Sequence, residues 1–319
     1  RISYVSSDSY FFHASLKDNL LYGLKHAPLS DKEYEGAALE HRKWEIREAK
    51  MAGNPLIDIN SEWIDYASSP AGDGRPENLI QAILDVLDSV ELSQDILEFA
   101  LRSSIDPLTD LHLAARIVEL RHVLRAELEK ENLSGLIAPF ELESYNSEAT
   151  VGENLLFGTM RDSSQSIRTV IESDYFRSLM RETGLVKTLF EMGYTIAENI
   201  VEIFADLPGD HPFFQQLTFM TPDDIPVYQQ MLQRLQSRSF DEANENEKRA
   251  MLRLSFFYIE PRQRFGLLTP EIMNRIVEVR HMFHENLPDS LKNVIEIYDP
   301  TKYMSATSLL DNILFGKVS

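Results

Sequence analysis

Cysteine is absent from the chain. That removes disulfides, thiolate nucleophiles and cysteine-held zinc or iron–sulfur centres, and it is compatible with a reducing compartment. Positive charge is scarce: 31 Lys and Arg stand against 51 Asp and Glu, a formal charge of −20. Such an excess repels phosphate backbones and anionic lipid head groups, so neither nucleic acid nor a membrane surface is an expected partner. Long apolar runs are missing as well. MLRLSFFYI (251–259) falls far short of the ~20 residues needed to cross a bilayer and contains Arg253. No direct membrane insertion is expected. The chain opens at Arg1 on a strand-like ISYV, without the form of a signal peptide, and is expected to be a piece of a longer polypeptide.

Enough apolar sequence remains to build a core, since 43% of residues are hydrophobic. Most of the length reads as helix. DKEYEGAALEHRKWEIREAKMAG (31–53) is rich in helix formers and stops at Gly53-Asn54-Pro55. YASSPAGDGRPEN (66–78) reads as a linker, with Pro76 suited to the first turn of the next helix. Amphipathic pieces follow at 79–90 and 93–103, then a helical block at 167–205 and another at 225–237. Strand candidates are few: ISYV (2–5), GLIAPF (135–140) and NVIEIY (293–298). The expected fold class is mainly α, internally duplicated, with short β segments at repeated motifs.

The repetition is the strongest signal. ASLKDNLLYG (14–23), ATVGENLLFG (149–158) and TSLLDNILFG (307–316) are one phrase written three times. RIVELRH (116–122) returns as RIVEVRH (275–281), and SIDP (104–107) resembles YIEP (258–261). Behind the repeated charged motif runs a matched apolar stripe: Leu113, Ile117, Leu120, Leu124 and Leu128 against Ile272, Ile276, Val279, Phe283 and Leu287. An internal duplication, 79–158 against 227–316, follows. Each later phrase is expected to sit beside its own RIVE helix, with matched faces buried.

Within the phrase, Ser15, Thr150 and Ser308 are placed to cap a short helix, and Asp18, Glu153 and Asp311 to reach back three residues. Gly23, Gly158 and Gly316 are expected to end it with positive φ. Asn19, Asn154 and Asn312 are identical although capping does not require Asn. An Asn amide offers donors and an acceptor, so the expected role is a tie to the preceding loop. A tyrosine five residues before the cap also recurs, at Tyr10, Tyr145 and Tyr303.

ISYVSSDSYFFHASLKDNLLYG (2–23) resembles, without gaps, the strand, Q-loop and following helix of the nucleotide-binding domain of ABC exporters, whose usual form is close to I-G-Y-V-P-Q-D-P-F-L-F-S-G-T-I-R-E-N-I. DYFRSLMRETGLVKTLFEMG (174–193) is more weakly similar to the helical stretch that follows it there. The resemblance implies that Ser7 and Asp8 stand at the nucleotide-facing Q-loop position. It also implies that Tyr10, Phe11, Phe12 and Asn19 face the transmembrane domain of a transporter; for the three aromatics, packing in this chain's own core is an equal alternative. The departures limit it. Serine replaces the family's glutamine at position 7, and the chain has no G-x-x-x-x-G-K-[ST] phosphate loop and no L-S-G-G-Q signature. The expectation is a non-catalytic helical insertion in an ABC-type ATPase. Residues 1–27 would be the Q-loop-like segment, and 28–158 and 159–319 would be helical units each ending in a phrase. ATP and Mg²⁺ would be held only by the parent protein. The partners would be a transmembrane domain and the rest of the ATPase domain, at the cytoplasmic face of the membrane. The alternative is a helical interaction scaffold unrelated to transport.

Other polar clusters read as structural. His281, His284 and Glu285 share a helix but lack the zincin pattern, and no metal site is expected. Arg121–His122 and Arg280–His281 are expected to form ion pairs rather than to bind phosphate. Glu198, Glu202, Asp206 and His211 read as a solvated face rather than an acid–base site.

Overall fold

The computed structural model describes residues 12–30, 32–69, 72, 75–162, 167–204, 220–236 and 240–319. It divides into two units, Arg1–Glu98 and Phe99–Ser319. The expected strand at 2–5 lies outside the described residues, as do Ser7, Asp8, Tyr10, Phe11, Asp206 and His211.

In the first unit, helix α1 (Leu16–Leu21) leads into strand β1 (Lys25–Ser30), helix α2 (Gly36–Ala52), strand β2 (Glu62–Ile64) and helix α3 (Pro76–Ser89). Strands β1 and β2 pair antiparallel, with Lys25 opposite Ile64. Neither strand is foreshadowed in the sequence. Gly53 ends α2 in the left-handed region, at φ 70°, as its stop signal implies. The core here is small: Leu21 and Leu79 are buried, with Leu24, Ile64, Tyr66, Ala82 and Ile83 against them.

The unit division falls within helix α4 (Ser93–Arg102). The second unit continues with α5 (Leu111–Lys130), β3 (Ile137–Pro139), α6 (Val151–Leu156) and β4 (Gly158–Met160). Helices α7 (Arg168–Ile171), α8 (Asp174–Glu182), α9 (Leu185–Phe204), α10 (Asp224–Leu235) and α11 (Glu245–Phe256) follow. The chain closes with α12 (Glu260–Gln263), α13 (Pro270–Glu285), α14 (Asp289–Lys292), β5 (Ile295–Ile297), α15 (Leu309–Leu314) and β6 (Gly316–Val318). The fold is mainly α, and β4 and β6 follow directly on the second and third phrases.

The main core forms around α9, whose Leu189, Ile196 and Ile200 pack with Met251 and Leu254 of α11. Full burial of each such side chain stabilises by about 1.5–3 kcal/mol. Gly193 sets the helix spacing, because a Cβ there would collide with the Met251 backbone. Ile276, Val279 and Phe283 of α13 complete this core, and Phe283 meets Tyr175 and Phe176 of α8 at ring-centroid distances of 5.7 and 5.9 Å.

The duplication is realised with exchanged partners. Helix α13 packs on α6, the second phrase, and α5 packs on α15, the third. The strands obey the same exchange: β3 pairs with β6 and β4 with β5, both antiparallel. Each RIVE helix therefore supports the phrase of the other repeat, which corrects the expected pairing. The matched stripes differ as well. Alongside Ile276, Val279 and Phe283, α13 buries Leu287 after its end, whereas on α5 Ala114, Ile117 and Arg121 are buried and Leu113 and Leu120 are each 45% exposed. The reason is cover: α13 has α8 and α6 against it, and α5 meets α15 and the turn at 134–136.

Candidate functional site

The three phrases share one internal construction. Ser15, Thr150 and Ser308 accept from the backbone N–H three residues on. Glu153 completes the box by accepting from the Thr150 N–H at 2.9 Å, while Asp18 and Asp311, one methylene shorter, take the cap hydroxyl at 2.6 Å. The asparagine then reaches back over the helix start. Asn154 Oδ1 accepts from the Asn146 N–H at 2.8 Å and its Nδ2 donates to the Asn146 and Thr150 carbonyls at 2.9 and 3.0 Å. Asn312 repeats this with Met304 and Ser308, and Asn19 with Phe12 and Ser15. The tie expected of Asn19 is present in every copy.

The glycine expectation is corrected by one position. The left-handed residues are Phe157 and Phe315, at φ 45° and 40°, and none of Gly23, Gly158 and Gly316 has positive φ. Gly158 and Gly316 are required by close approach. A Cβ on Gly158 would stand 2.6 Å from the Glu296 carbonyl oxygen, and one on Gly316 would strike the Ala138 carbonyl. Each glycine is thus where the exchanged strand passes.

At the seats of the second and third phrases lies one fully buried arginine each. Arg280 Nε donates to the Asn154 carbonyl at 2.7 Å, Nη1 to the carbonyls of Glu141, Leu142 and Ser144, and Nη2 to Asn154 Oδ1 at 3.1 Å. Arg121 mirrors it on the carbonyls of Asn312, Pro300 and Lys302. Their partners are carbonyls, not the carboxylates expected for an ion pair. The neighbouring His281 does meet a carboxylate, Glu143, at 3.2 Å, and His284 Nε2 lies 2.8 Å from the Leu156 carbonyl. Burial pulls the guanidinium of each arginine down to about 10, still protonated at neutral pH.

Aromatic rings join the two seats. Arg280 lies over Phe157 and Arg121 over Phe315, at 4.6 and 4.1 Å. Between them Phe140 stacks on Tyr298 at 4.3 Å, and each of these two rings meets both Phe157 and Phe315 edge-on. Lys317 bridges to Glu153 at 2.7 Å. Burial opposes the charge of Glu153, but Lys317 and Thr150 outweigh it and hold the carboxyl below its ordinary value. A cavity of about 280 Å³ opens here, lined by Glu153, Thr159, Tyr298, Ser308, Asp311 and Lys317. Lys317 and Glu153 are engaged with each other and Asp311 with the Ser308 hydroxyl, and the cavity's size is at the small end for a ligand pocket.

Of the residues the sequence points to for docking, Phe12 and Asn19 are described and are brought together. Phe12 is 43% exposed, and its ring meets Tyr22 at 4.3 Å. Glu198 and Glu202 lie on an exposed face of α9. Among the described residues no three His, Asp or Glu side chains are grouped to hold a metal. The sequence reading pointed to Arg121 and Arg280 but gave them the wrong partners, and it missed the four-ring cluster. The signal was there for the arginines, since each follows a stripe isoleucine, Ile117 or Ile276, by one helical turn. Comparison with family models, with curated proteins and with solved structures finds no match.

Proposed function

We propose that the chain is a non-catalytic helical part of an ABC-type ATPase subunit, working by protein docking at its Q-loop-like segment. The observation that carries this reading is the gapless correspondence of residues 2–23 with that segment. The Asn19 tie supports it by holding Phe12, one of the residues facing the membrane subunit by resemblance. The donor set does not fit a nucleotide: a serine stands where the family's glutamine would contact metal and water, and no phosphate loop is written. In this reading ATP and Mg²⁺ are held by the parent protein. Among the described residues no helix is long and apolar enough to cross a membrane, and the proposed place is the cytoplasmic face of a transporter.

A second reading, a free-standing interaction scaffold, is favoured by the exchanged seats, which use two of the three phrases as internal ties. The gene around this segment separates the two. A G-x-x-x-x-G-K-[ST] motif within some tens of codons upstream, with L-S-G-G-Q downstream, supports the transporter reading; unrelated flanks overturn it.

A further inference from the structure

The cavity beside the four rings has two unequal halves. Its lining groups come in repeated pairs. Glu153 and Asp311 stand third in α6 and α15, Phe140 and Tyr298 follow β3 and β5, and Thr159 and Lys317 are the central residues of β4 and β6. One half is closed by the chain itself. Lys317 Nζ meets Glu153 at 2.7 Å and lies over the Phe140 ring at 5.9 Å, and Ala138 is opposite it in the strand pair. In the other half threonine takes the place of that lysine, and Glu296 rather than alanine is opposite it. Glu296 accepts from Ser305 and Ala306 and lies 3.9 Å from Arg161. Asp311 accepts from the Ser308 hydroxyl but meets no cation among the described residues. The Tyr298 hydroxyl, which the charges of Glu153 and Asp311 both reach, has no protein partner among them either.

We infer that this half binds a small primary aliphatic amine as its cation, the ammonium standing at Asp311 over the Tyr298 ring as Lys317 stands at Glu153 over Phe140. The template is thus within the chain, and the inference does not rest on the transporter reading. Glu153 shows that a carboxylate in the first turn of such a helix takes an ammonium in this fold. An ammonium has three donors, and the Asp311 carboxylate and the Thr159 and Tyr298 hydroxyls line the cavity to accept them. A charge-assisted hydrogen bond and attraction to the ring face both favour a cation here. The volume of about 280 Å³ suits a stem of a few carbons rather than a large ligand.

The probe is n-butylammonium, the lysine side chain freed at its β carbon, titrated into the full chain at constant ionic strength. Saturable shifts of the Thr159 and Asp311 amide resonances are expected. Asp311→Asn keeps an oxygen for the Ser308 hydroxyl and should weaken binding about tenfold or more, the loss of one charge-assisted hydrogen bond. Thr159→Lys should abolish binding, with the unfolding midpoint unchanged or higher, because the substituted side chain brings its own ammonium to Asp311. Four results would overturn the proposal. One is no saturable shift at these residues. Another is undiminished binding in either variant. A third is an equal response to tetramethylammonium, which has no N–H donor, as general attraction to an acidic chain would give. The last is tighter binding of Nα-acetyl-lysine methylamide than of the free amine, which would make a partner protein's lysine the occupant.

Discussion

Replacing Arg280 by methionine tests whether a buried charge held by carbonyls, without a carboxylate, stabilises this fold. The guanidinium makes five hydrogen bonds, four to backbone carbonyls and one to Asn154 Oδ1, and lies over Phe157. Bonds to a charged donor contribute about 1.5–3 kcal/mol each, so the gross stabilisation is on the order of 10 kcal/mol. Stripping the guanidinium of water takes back several kcal/mol. The expected net loss for Arg280→Met is about 3–5 kcal/mol, because methionine fills the volume and leaves carbonyls of the 141–144 loop unpaired. Lysine should rescue little. Its ammonium has three donors at one point and cannot span the Asn154 carbonyl and the loop together. In a urea titration followed by far-ultraviolet circular dichroism, a slope of about 3 kcal/mol per molar converts the loss to a midpoint lower by about 1–2 M. A midpoint within ~0.3 M of the native value would refute the reasoning, and so would full rescue by lysine.

Gly158→Ala should destabilise by about 1–3 kcal/mol, since its Cβ meets backbone of β5 that cannot step aside; hydrogen exchange should show β4 and β5 opening together. Asn312→Ala should cost about 1–3 kcal/mol and raise exchange at Met304, whose N–H and carbonyl it holds, with α9 still protected. His284 gives a pH dependence. Burial, with Arg280 and His281 nearby, lowers its value below the ordinary 6.5 against the raising effect of the Leu156 carbonyl. The unfolded chain therefore binds the extra proton. Stability is complete above about 6.5 and is lost as pH falls through the depressed folded value, so the midpoint should drop from pH 7 to pH 5, and less so in His284→Gln.

Local structure was legible in the sequence where local chemistry decides it. The three caps, the αL stop at Gly53, the start at Pro76 and the asparagine tie all follow from side-chain inventories over a few residues. The strand partners were not legible. Ile137–Pro139 and Ile295–Ile297 precede near-identical phrases, so neither local pattern says which glycine-led strand it will meet. The same degeneracy hid the exchange of helices, because RIVELRH and RIVEVRH offer either phrase the same arginine and the same stripe. The glycine reading failed for a tertiary reason: a neighbouring strand, not the helix end, removes room for a Cβ. Arg121 and Arg280 were misread because charge at the border of an apolar stripe normally faces water, and backbone carbonyls as partners leave no mark in the sequence.

Chain topology contributes little to the contrast between the two seats. Arg280 reaches a carbonyl 126 residues away and Arg121 one 191 residues away, and loop closure over these lengths differs by about 0.4 kcal/mol. Burial separates them far more. Exposure of Leu113 and Leu120 on α5 forfeits part of the ~1.5–3 kcal/mol that each would contribute in a covered stripe, while Ile276, Val279 and Phe283 on α13 are almost fully enclosed. Arg121 also makes three hydrogen bonds, one of them at 3.3 Å, against five for Arg280. The third phrase is thus the weaker of two seats built from the same parts. It is held by an arginine and a half-covered helix, whereas the second is embedded in the main core. One sequence phrase accordingly serves at two depths, set by what packs behind the helix that carries the arginine.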